Sequence, residues 1–255
     1  MSHAPLVESL VHGRVHELRL ARAPVNALDP ALCGALSRAL ADALAAGAGG
    51  IVLSGGPKVF SAGLDVPFLL SLGDDQAKLL AAWEAFFEAA RALLACPVPV
   101  VAAMAGHAPA GGCVLALCCD YRVLAEGPFR IGLNETQVGL VAPEGIQALL
   151  ARVVGAHRAE RLLVSGAMVE AAEALRIGLV DELAAIDAVP TRARVWLEEL
   201  LALPRGPMLE TRRIARAGAV DCLRPGRIDL PRFVAGWSEP DTQAGLRAML
   251  ARIGR

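Results

Sequence analysis

Two short pieces, Ala105-Gly-His-Ala-Pro-Ala-Gly-Gly-Cys113 and Ile131-Gly-Leu-Asn-Glu-Thr-Gln-Val-Gly139, decide how the rest of this chain is interpreted. The first is glycine-rich and opens a predicted helix that ends near Tyr121. The second has the composition of a turn, and its only ionisable side chain, Glu135, stands among apolar residues. An isolated carboxylate in apolar surroundings is costly unless it is used or well paired. The pattern therefore marks Glu135 as a candidate catalytic residue.

Composition limits the class of protein. The 255 residues fit one large domain, or one domain with a small appendage, and a net charge of −1 argues against a general binder of nucleic acid or membrane surfaces. The six cysteines lack metal-ligand spacing and are typical of buried thiols in a reducing compartment. We find no signal-peptide pattern and no apolar run of ~18 residues, the length of a membrane span. We expect a soluble, cytoplasmic protein.

Strands and helices alternate through the first part of the chain, which predicts a layered α/β fold. Asp29-Pro30 is a helix start with Asp as N-cap and Pro at the first helical position. The predicted strands are 6–10, 14–20, 50–53 and 98–103, with a strand-to-turn element at 59–66 and helices at 30–46 and 74–95. The 74–95 helix holds several aromatic residues on one side, and core packing and the wall of an acyl pocket are equally good interpretations of them.

The second part of the chain is mainly helical. We predict helices at 143–154, from 155 onward, at 169–177, 189–203, 205–221 and 240–253, a strand at 179–183 and a Pro/Gly-rich link at 223–230. Composition shifts near residue 185. We therefore divide the chain into a core of residues 1–185 and a helical region of residues 186–255.

Two tight turns, around Gly63-Leu64 and around Gly111-Gly112, each follow a predicted strand, so they are expected at the same edge of a sheet. Backbone N–H groups in such turns can stabilise a developing negative charge. Together with Glu135 they make one general base and two oxyanion donors. That set suits proton abstraction next to a thioester carbonyl.

Several motifs resemble the enoyl-CoA hydratase/isomerase (crotonase) superfamily. They are Phe60-Ser-Ala-Gly-Leu-Asp65, Ala110-Gly-Gly-Cys113, Cys119-Asp-Tyr-Arg122 and Asn134-Glu-Thr-Gln-Val-Gly139, with further likeness at 155–161 and 170–181. The likeness extends over residues 5–185 and is looser in the helical tail. Within the superfamily these motifs are most similar to the mitochondrial-type Δ3,Δ2-enoyl-CoA isomerases.

The resemblance implies a spiral of ββα units that binds acyl-CoA across the turns, with the C-terminal helical region assembling a homotrimer or a dimer of trimers. It implies an isomerase of fatty-acid β-oxidation whose substrate is the coenzyme A thioester, with no separate cofactor, no metal and no nucleic-acid partner. By position, the N–H groups of Leu64 and Gly111 would form the oxyanion hole, and Glu135 would move a proton between C2 and C4. The residues expected to contact the substrate are Ala62, Gly63, Asp65, Val66 and Asn134.

One position separates isomerases from hydratases. Hydratases of this superfamily have a glutamate directly after Gly-Gly-Cys, and a second glutamate in the later turn helps it to orient a water. Here the first position is Val114, which favours a one-base proton shuttle over hydration.

Glu144 leaves a second mechanism open. It follows Pro143 near the place where other members of the superfamily have an additional acid. It is either a first-turn glutamate that interacts with the helix dipole or a second acid in the pocket. The alternatives to an isomerase are a hydratase or another crotonase-type enzyme that uses Glu135 with Glu144, and a non-catalytic acyl-CoA-binding protein. For Asp120 we expect a structural role, paired near Arg122.

Overall fold

Nine strands form two sheets in the computed structural model, which describes residues 4–253. The larger sheet has the order β1 (Val7–His12), β2 (Val15–Leu20), β3 (Gly50–Ser54), β4 (Val100–Met104), β6 (Tyr121–Ala125) and β9 (Glu182–Ala184). The smaller sheet has the order β5 (Ala108–Pro109), β7 (Arg130–Gly132) and β8 (Val169–Glu170). In the larger sheet β1 and β2 are antiparallel and every later pair is parallel.

The helices connect and cover these strands. They are α1 (Pro30–Ala45), α2 (Val66–Ser71), α3 (Gln76–Leu94), α4 (Gly111–Leu117), α5 (Glu144–Val154), α6 (Ala156–Ser165), α7 (Ala171–Arg176), α8 (Val189–Leu201), α9 (Arg205–Cys222), α10 (Leu230–Ala235) and α11 (Pro240–Ile253). Short 3-10 turns occur at Glu135–Val138 and Gly236–Ser238. Within residues 4–253, no helix combines the length and the apolar character that a membrane crossing requires.

Aspartate caps start three of the early helices. Asp29 accepts a hydrogen bond from the Leu32 N–H at 2.7 Å, and Pro30 occupies the first position of α1, as predicted. Asp65 and Asp75 cap α2 and α3 in the same way. Each cap satisfies an N–H that has no acceptor inside its helix.

Both faces of the larger sheet are covered. The main core lies on the side of α1, α3 and α4, and a smaller core lies between the other face and α8. Two-sided burial explains the almost continuous apolar sequences of β3 and β4, because a parallel sheet covered on both faces has no solvent-facing positions.

The predicted hairpin, α1, β3, β4, α5, α6, α8, α9 and α11 are confirmed to within a few residues. Other predictions were wrong. The 59–66 element forms isolated bridges instead of a strand, and 169–177 divides into β8 and α7. The predicted 74–95 helix is confirmed as α3, with the separate helix α2 before it. Five elements were not predicted, namely β5, β6, β7, α2 and α10. With three residues in β7 and six in α10, these two elements are too short for a recognisable periodic pattern. The start of β6 lies where the sequence predicted the end of a helix, near Tyr121.

Asp120 fixes α9 to the core. Its carboxylate accepts hydrogen bonds from the Arg212 guanidinium at 2.8 and 2.9 Å and lies 3.0 Å from Arg216 Nη1. These side chains are almost buried. The expected pairing of Asp120 near Arg122 was wrong, because Arg122 forms its ion pair with Asp181.

Candidate active site

Parallel strands bring the two central motifs together. In the smaller sheet β5 and β7 run parallel, with Pro109 opposite Gly132, and the Ala110 N–H donates to the Gly132 carbonyl at 2.8 Å. Gly111 follows the end of β5 and Glu135 follows the end of β7. Carboxyl ends of parallel strands meet at one edge of a sheet, which is where α/β proteins place their ligands.

The turn at Gly63-Leu64 joins the same edge through two bridges. Val59 pairs with His107 in a parallel bridge, and Leu64 pairs with Leu28 in another. The second bridge uses the Gly63 carbonyl and the Asp65 N–H, which bond to Leu28 at 2.7 and 3.0 Å. Because successive N–H groups of extended backbone point in opposite directions, the Leu64 N–H faces away from Leu28.

Glycines let the two turns touch. A Cβ on Gly63 would lie 2.9 Å from the Gly111 nitrogen, and a Cβ on Gly112 would lie 2.3 Å from the Ser61 carbonyl oxygen. Gly63 also has a φ of +84°, a conformation that favours glycine. The close approach of these main chains therefore depends on residues without side chains.

The backbone is strained beside one of the candidate donors. Ala110 has φ 47° and ψ −121°, a sparsely populated region for a residue with a Cβ, and it directly precedes Gly111. Gly111 is the first residue of α4, so its N–H has no acceptor within the helix. Within residues 4–253, the Leu64 and Gly111 N–H groups donate to no protein acceptor. Both groups are available to a ligand oxygen.

Glu135 is the first residue of the 3-10 turn after β7. The residue as a whole is partly exposed, but its Oε2 is buried and has no hydrogen-bond partner among the described residues. Burial raises the pKa of the Glu135 carboxyl from 4.5 to about 7, although a bond from its own backbone N–H acts in the opposite direction. A carboxyl with a pKa near neutrality can both accept and return a proton.

A cavity of about 670 Å³ contains these groups. Glu135, Leu64 and Gly111 line it together with four of the five predicted substrate contacts, which are Ala62, Asp65, Val66 and Asn134. The fifth, Gly63, lies against Gly111 and is not a lining residue. Val114 also lines the cavity and is fully buried.

The far part of the cavity is apolar and aromatic. Trp83 and Phe86 of α3 are buried in the core and also line the cavity, so this helix contributes to both. Four further residues line the cavity without having been expected from the sequence: Phe233, Trp237, Met249 and Leu250. No local motif marks these residues, because they reach the cavity only through the path of the C-terminal helices.

Arg22, which belongs to no specific motif, also lines the cavity. Its guanidinium bonds Asp65 at 2.6 Å, lies 3.2 Å from Asp29 and donates to the Ala27 carbonyl at 2.9 Å. It therefore connects the caps of α1 and α2. The Asp65 carboxylate pairs with Arg22 and accepts the capping hydrogen bond from the Phe68 N–H, whereas Glu135 Oε2 has no partner among the described residues.

Glu144 does not line the cavity. It is exposed at the start of α5 and forms an ion pair with Arg232. The structure therefore does not bring Glu144 into the cavity with Glu135, and its position is that of a first-turn helix glutamate.

Comparisons with known proteins agree with this geometry. Residues 11–217 match the enoyl-CoA hydratase/isomerase family. Mitochondrial enoyl-CoA delta isomerase 1 of Mus musculus is 37% identical over 207 residues, which are 80% of this chain and 71% of the mouse protein. A probable enoyl-CoA hydratase, echA17, of Mycobacterium avium (strain 104) is 39% identical over 155 residues, 61% of this chain and 59% of that relative.

A solved structure extends the likeness to almost the whole chain. The crystal structure of human mitochondrial delta3-delta2-enoyl-CoA isomerase matches with a TM-score of 0.91 and 32% identity, over 98% of both chains. The predicted α/β fold of the crotonase type is thereby confirmed. This chain belongs to the enoyl-CoA hydratase/isomerase family of enzymes.

Proposed function

We propose that this enzyme is a Δ3,Δ2-enoyl-CoA isomerase of fatty-acid β-oxidation, which moves a cis- or trans-3 double bond of an acyl-CoA to the trans-2 position. The observation that carries the proposal is the environment of Glu135. Its Oε2 is buried without a hydrogen-bond partner among the described residues, and the side chain lines one cavity with the Leu64 and Gly111 backbone donors. The names of the mouse and human relatives support the same activity.

The proposed reaction needs one base and no other reactant. Glu135 takes a proton from C2, the electron pair of that C–H bond moves toward the thioester, and the double bond shifts from C3–C4 to C2–C3 when a proton is returned at C4. The C2–H bond breaks, a C4–H bond forms, and nothing is oxidised or released. A pKa near 7 suits both transfers, because the same group acts first as base and then as acid.

The Leu64 and Gly111 N–H groups would stabilise the enolate oxygen. Charge develops on the thioester oxygen as the C2 proton leaves, and donors that are fixed in advance stabilise that charge without reorganising. The backbone conformation of Ala110 and the contact between Gly63 and Gly111 would set the spacing of both donors. Losing one donor of this kind typically costs about 10²–10³ in kcat.

Hydration is the second candidate, because the mycobacterial relative is a probable hydratase. Adding water to a 2-enoyl-CoA requires a group that orients the water as well as a base. Of the residues that line the cavity, only Glu135 and Asp65 carry carboxylates, and Asp65 is paired with Arg22. The valine at position 114 therefore favours isomerisation.

Incubating the protein with 3-enoyl-CoA and with 2-enoyl-CoA in H₂¹⁸O distinguishes the two reactions. We expect 3-enoyl-CoA to become trans-2-enoyl-CoA without ¹⁸O. A rapid appearance of ¹⁸O-labelled 3-hydroxyacyl-CoA from 2-enoyl-CoA would show a hydratase. The absence of both reactions, with acyl-CoA still bound, would show a binding protein.

We also propose that residues 186–255 form a helical subdomain, packed on the core of residues 1–185, through which the protein assembles as a homotrimer or a dimer of trimers. The resemblance to the superfamily supports this proposal. Sedimentation equilibrium of the whole protein and of a variant with charged substitutions on this region tests it. A monomer at micromolar concentration would contradict it.

A further inference from the structure

The C-terminal helix α11 packs directly on the turn that carries Glu135. The Thr242 hydroxyl donates a 2.6 Å hydrogen bond to the Gly139 carbonyl, at the end of that turn. Thr242 is only 6% exposed, although it belongs to the first turn of a helix near the protein surface. A buried hydroxyl that is bonded to a backbone carbonyl fixes the distance between the two segments.

Two glycines make the contact closer than side chains would allow. A Cβ on Gly245 would lie 2.6 Å from the Val138 carbonyl oxygen, and a Cβ on Gly139 would lie 2.8 Å from the Asp241 carbonyl oxygen. Gly139 also has a φ of +79°. The main chain of α11 and the main chain of the 3-10 turn are therefore in direct contact.

The opposite side of the turn is held by α6. Thr136 donates to the Leu163 carbonyl at 3.1 Å, and a Cβ on Gly166 would lie 2.6 Å from Thr136 Oγ1. The turn is thus enclosed between α6 and α11. Since Glu135 is its first residue, a shift of α11 would move the carboxylate relative to Leu64 and Gly111.

The same helix also reaches the cavity. Met249 and Leu250, one to two turns after Gly245, line it together with Glu135. One helix therefore contacts both the wall of the cavity and the turn that carries the base. The position of this helix and the geometry of the base are physically coupled.

We propose that Thr242 and Gly245 are positioning residues that hold Glu135 at the distance from the oxyanion donors that proton transfer needs. This inference depends on the proposed role of Glu135. Neither residue contacts the reacting atoms; both act through the backbone at Val138 and Gly139. A displacement of about 1 Å in a catalytic group can cost about 10²-fold in rate.

The test compares Thr242→Val with Thr242→Ser, and Gly245→Ala with Gly236→Ala. Valine keeps the size of threonine and removes the hydroxyl, whereas serine keeps the hydroxyl. Gly236 is the matched control, since a Cβ there would meet nothing within 4 Å. Steady-state kinetics with 3-enoyl-CoA give kcat and KM, calorimetry gives the Kd of a saturated acyl-CoA, and circular dichroism checks folding.

We expect kcat to fall about tenfold or more in Thr242→Val and Gly245→Ala, with KM and Kd changing less than about threefold. Thr242→Ser and Gly236→Ala should stay within about threefold of the wild type. If Thr242→Val does not fold, the kcat, KM and Kd of Gly245→Ala are compared with those of Gly236→Ala instead. Folded variants that keep the wild-type kcat, or that lose kcat and binding equally, would overturn the proposal. Wild-type protein without isomerase activity would instead refute the proposed function.

Discussion

Gly63 and Gly111 are in backbone contact, and a Cβ on Gly111 would lie only 3.2 Å from the Gly63 Cα. Leu64, which follows Gly63, and Gly111 itself each have an N–H group that donates to no protein acceptor within residues 4–253. The contact therefore sets the spacing of the proposed oxyanion donors. A side chain at either glycine would separate the turns and with them the donors.

Gly63→Ala should abolish most activity and destabilise the fold. Alanine at a φ of +84° costs about 1–2 kcal/mol, and the added methyl would also overlap the Gly111 nitrogen. Gly47→Ala is the matched control, because Gly47 has a φ of +86° but an open space around it. Thermal unfolding should show a lower Tm for both variants, whereas kcat/KM should fall only in Gly63→Ala. Equal kcat/KM values in the two variants would argue against the oxyanion geometry.

Replacing Glu135 by glutamine should stabilise the protein at alkaline pH. The pKa of the Glu135 carboxyl is 4.5 in the unfolded chain and about 7 in the folded protein. At pH values between these two, the folded state therefore holds one more proton than the unfolded state. The free energy of unfolding therefore decreases as pH rises through this window, by about 3 kcal/mol in total. Glutamine has no such proton, so Glu135→Gln should be the more stable form at pH 8 and similar to wild type at pH 4.

Urea unfolding of both forms at pH 4, 6 and 8 measures this difference. Glu144→Gln is the control, because Glu144 is exposed. A stability gap between wild type and Glu135→Gln that does not grow with pH would show that burial does not hold this carboxyl in its neutral form.

Val114→Glu should introduce hydration. Val114 is buried and lines the cavity with Glu135, so a carboxylate there would supply the second acidic group that orients a water. We expect ¹⁸O-labelled 3-hydroxyacyl-CoA from 2-enoyl-CoA, together with lower stability from the buried charge. Val114→Gln has a similar size without the charge and should show no label. If the wild type hydrates 2-enoyl-CoA as fast as it isomerises 3-enoyl-CoA, Val114 does not decide between the two reactions.

Asp120→Asn should destabilise the protein by about 3–5 kcal/mol. The two guanidiniums of Arg212 and Arg216 would remain almost buried without a counter-charge, and a broken buried ion pair costs that much. Glu210→Gln, which removes an exposed pair with Arg213, should leave the urea midpoint unchanged. If the urea midpoint of Asp120→Asn is also unchanged, α9 is held to the core by other contacts.

The sequence predicted long, periodic or capped elements well. Asp29-Pro30 marked the start of α1, and the i+4 leucines marked its buried face. The two-residue strands β5 and β8 have too few residues for a pattern, and their pairing is decided by tertiary contacts. The pairing of Asp120 with α9 spans about 90 residues of sequence, and no local pattern encodes it.

The grouping of the candidate residues in one cavity was predictable where they belong to turns with recognisable motifs. Ala62, Leu64, Asp65, Gly111 and Glu135 all line the cavity as expected. Phe233, Trp237 and Met249 come from helices without such motifs, so their contribution depends on how the C-terminal chain folds back. The ion pair of Glu144 could not be predicted from the sequence either, since its partner Arg232 is 88 residues away.

The most direct test of the account is the isomerisation rate of Glu135→Gln, measured with 3-enoyl-CoA beside its Kd for a saturated acyl-CoA. General acid–base catalysis typically contributes about 10²–10⁴-fold, so we expect a loss of at least that size in kcat with nearly unchanged binding. Glu144→Gln should keep the wild-type rate. Double-bond migration by a folded Glu135→Gln at more than about a tenth of the wild-type rate would contradict the assignment of Glu135 as the base.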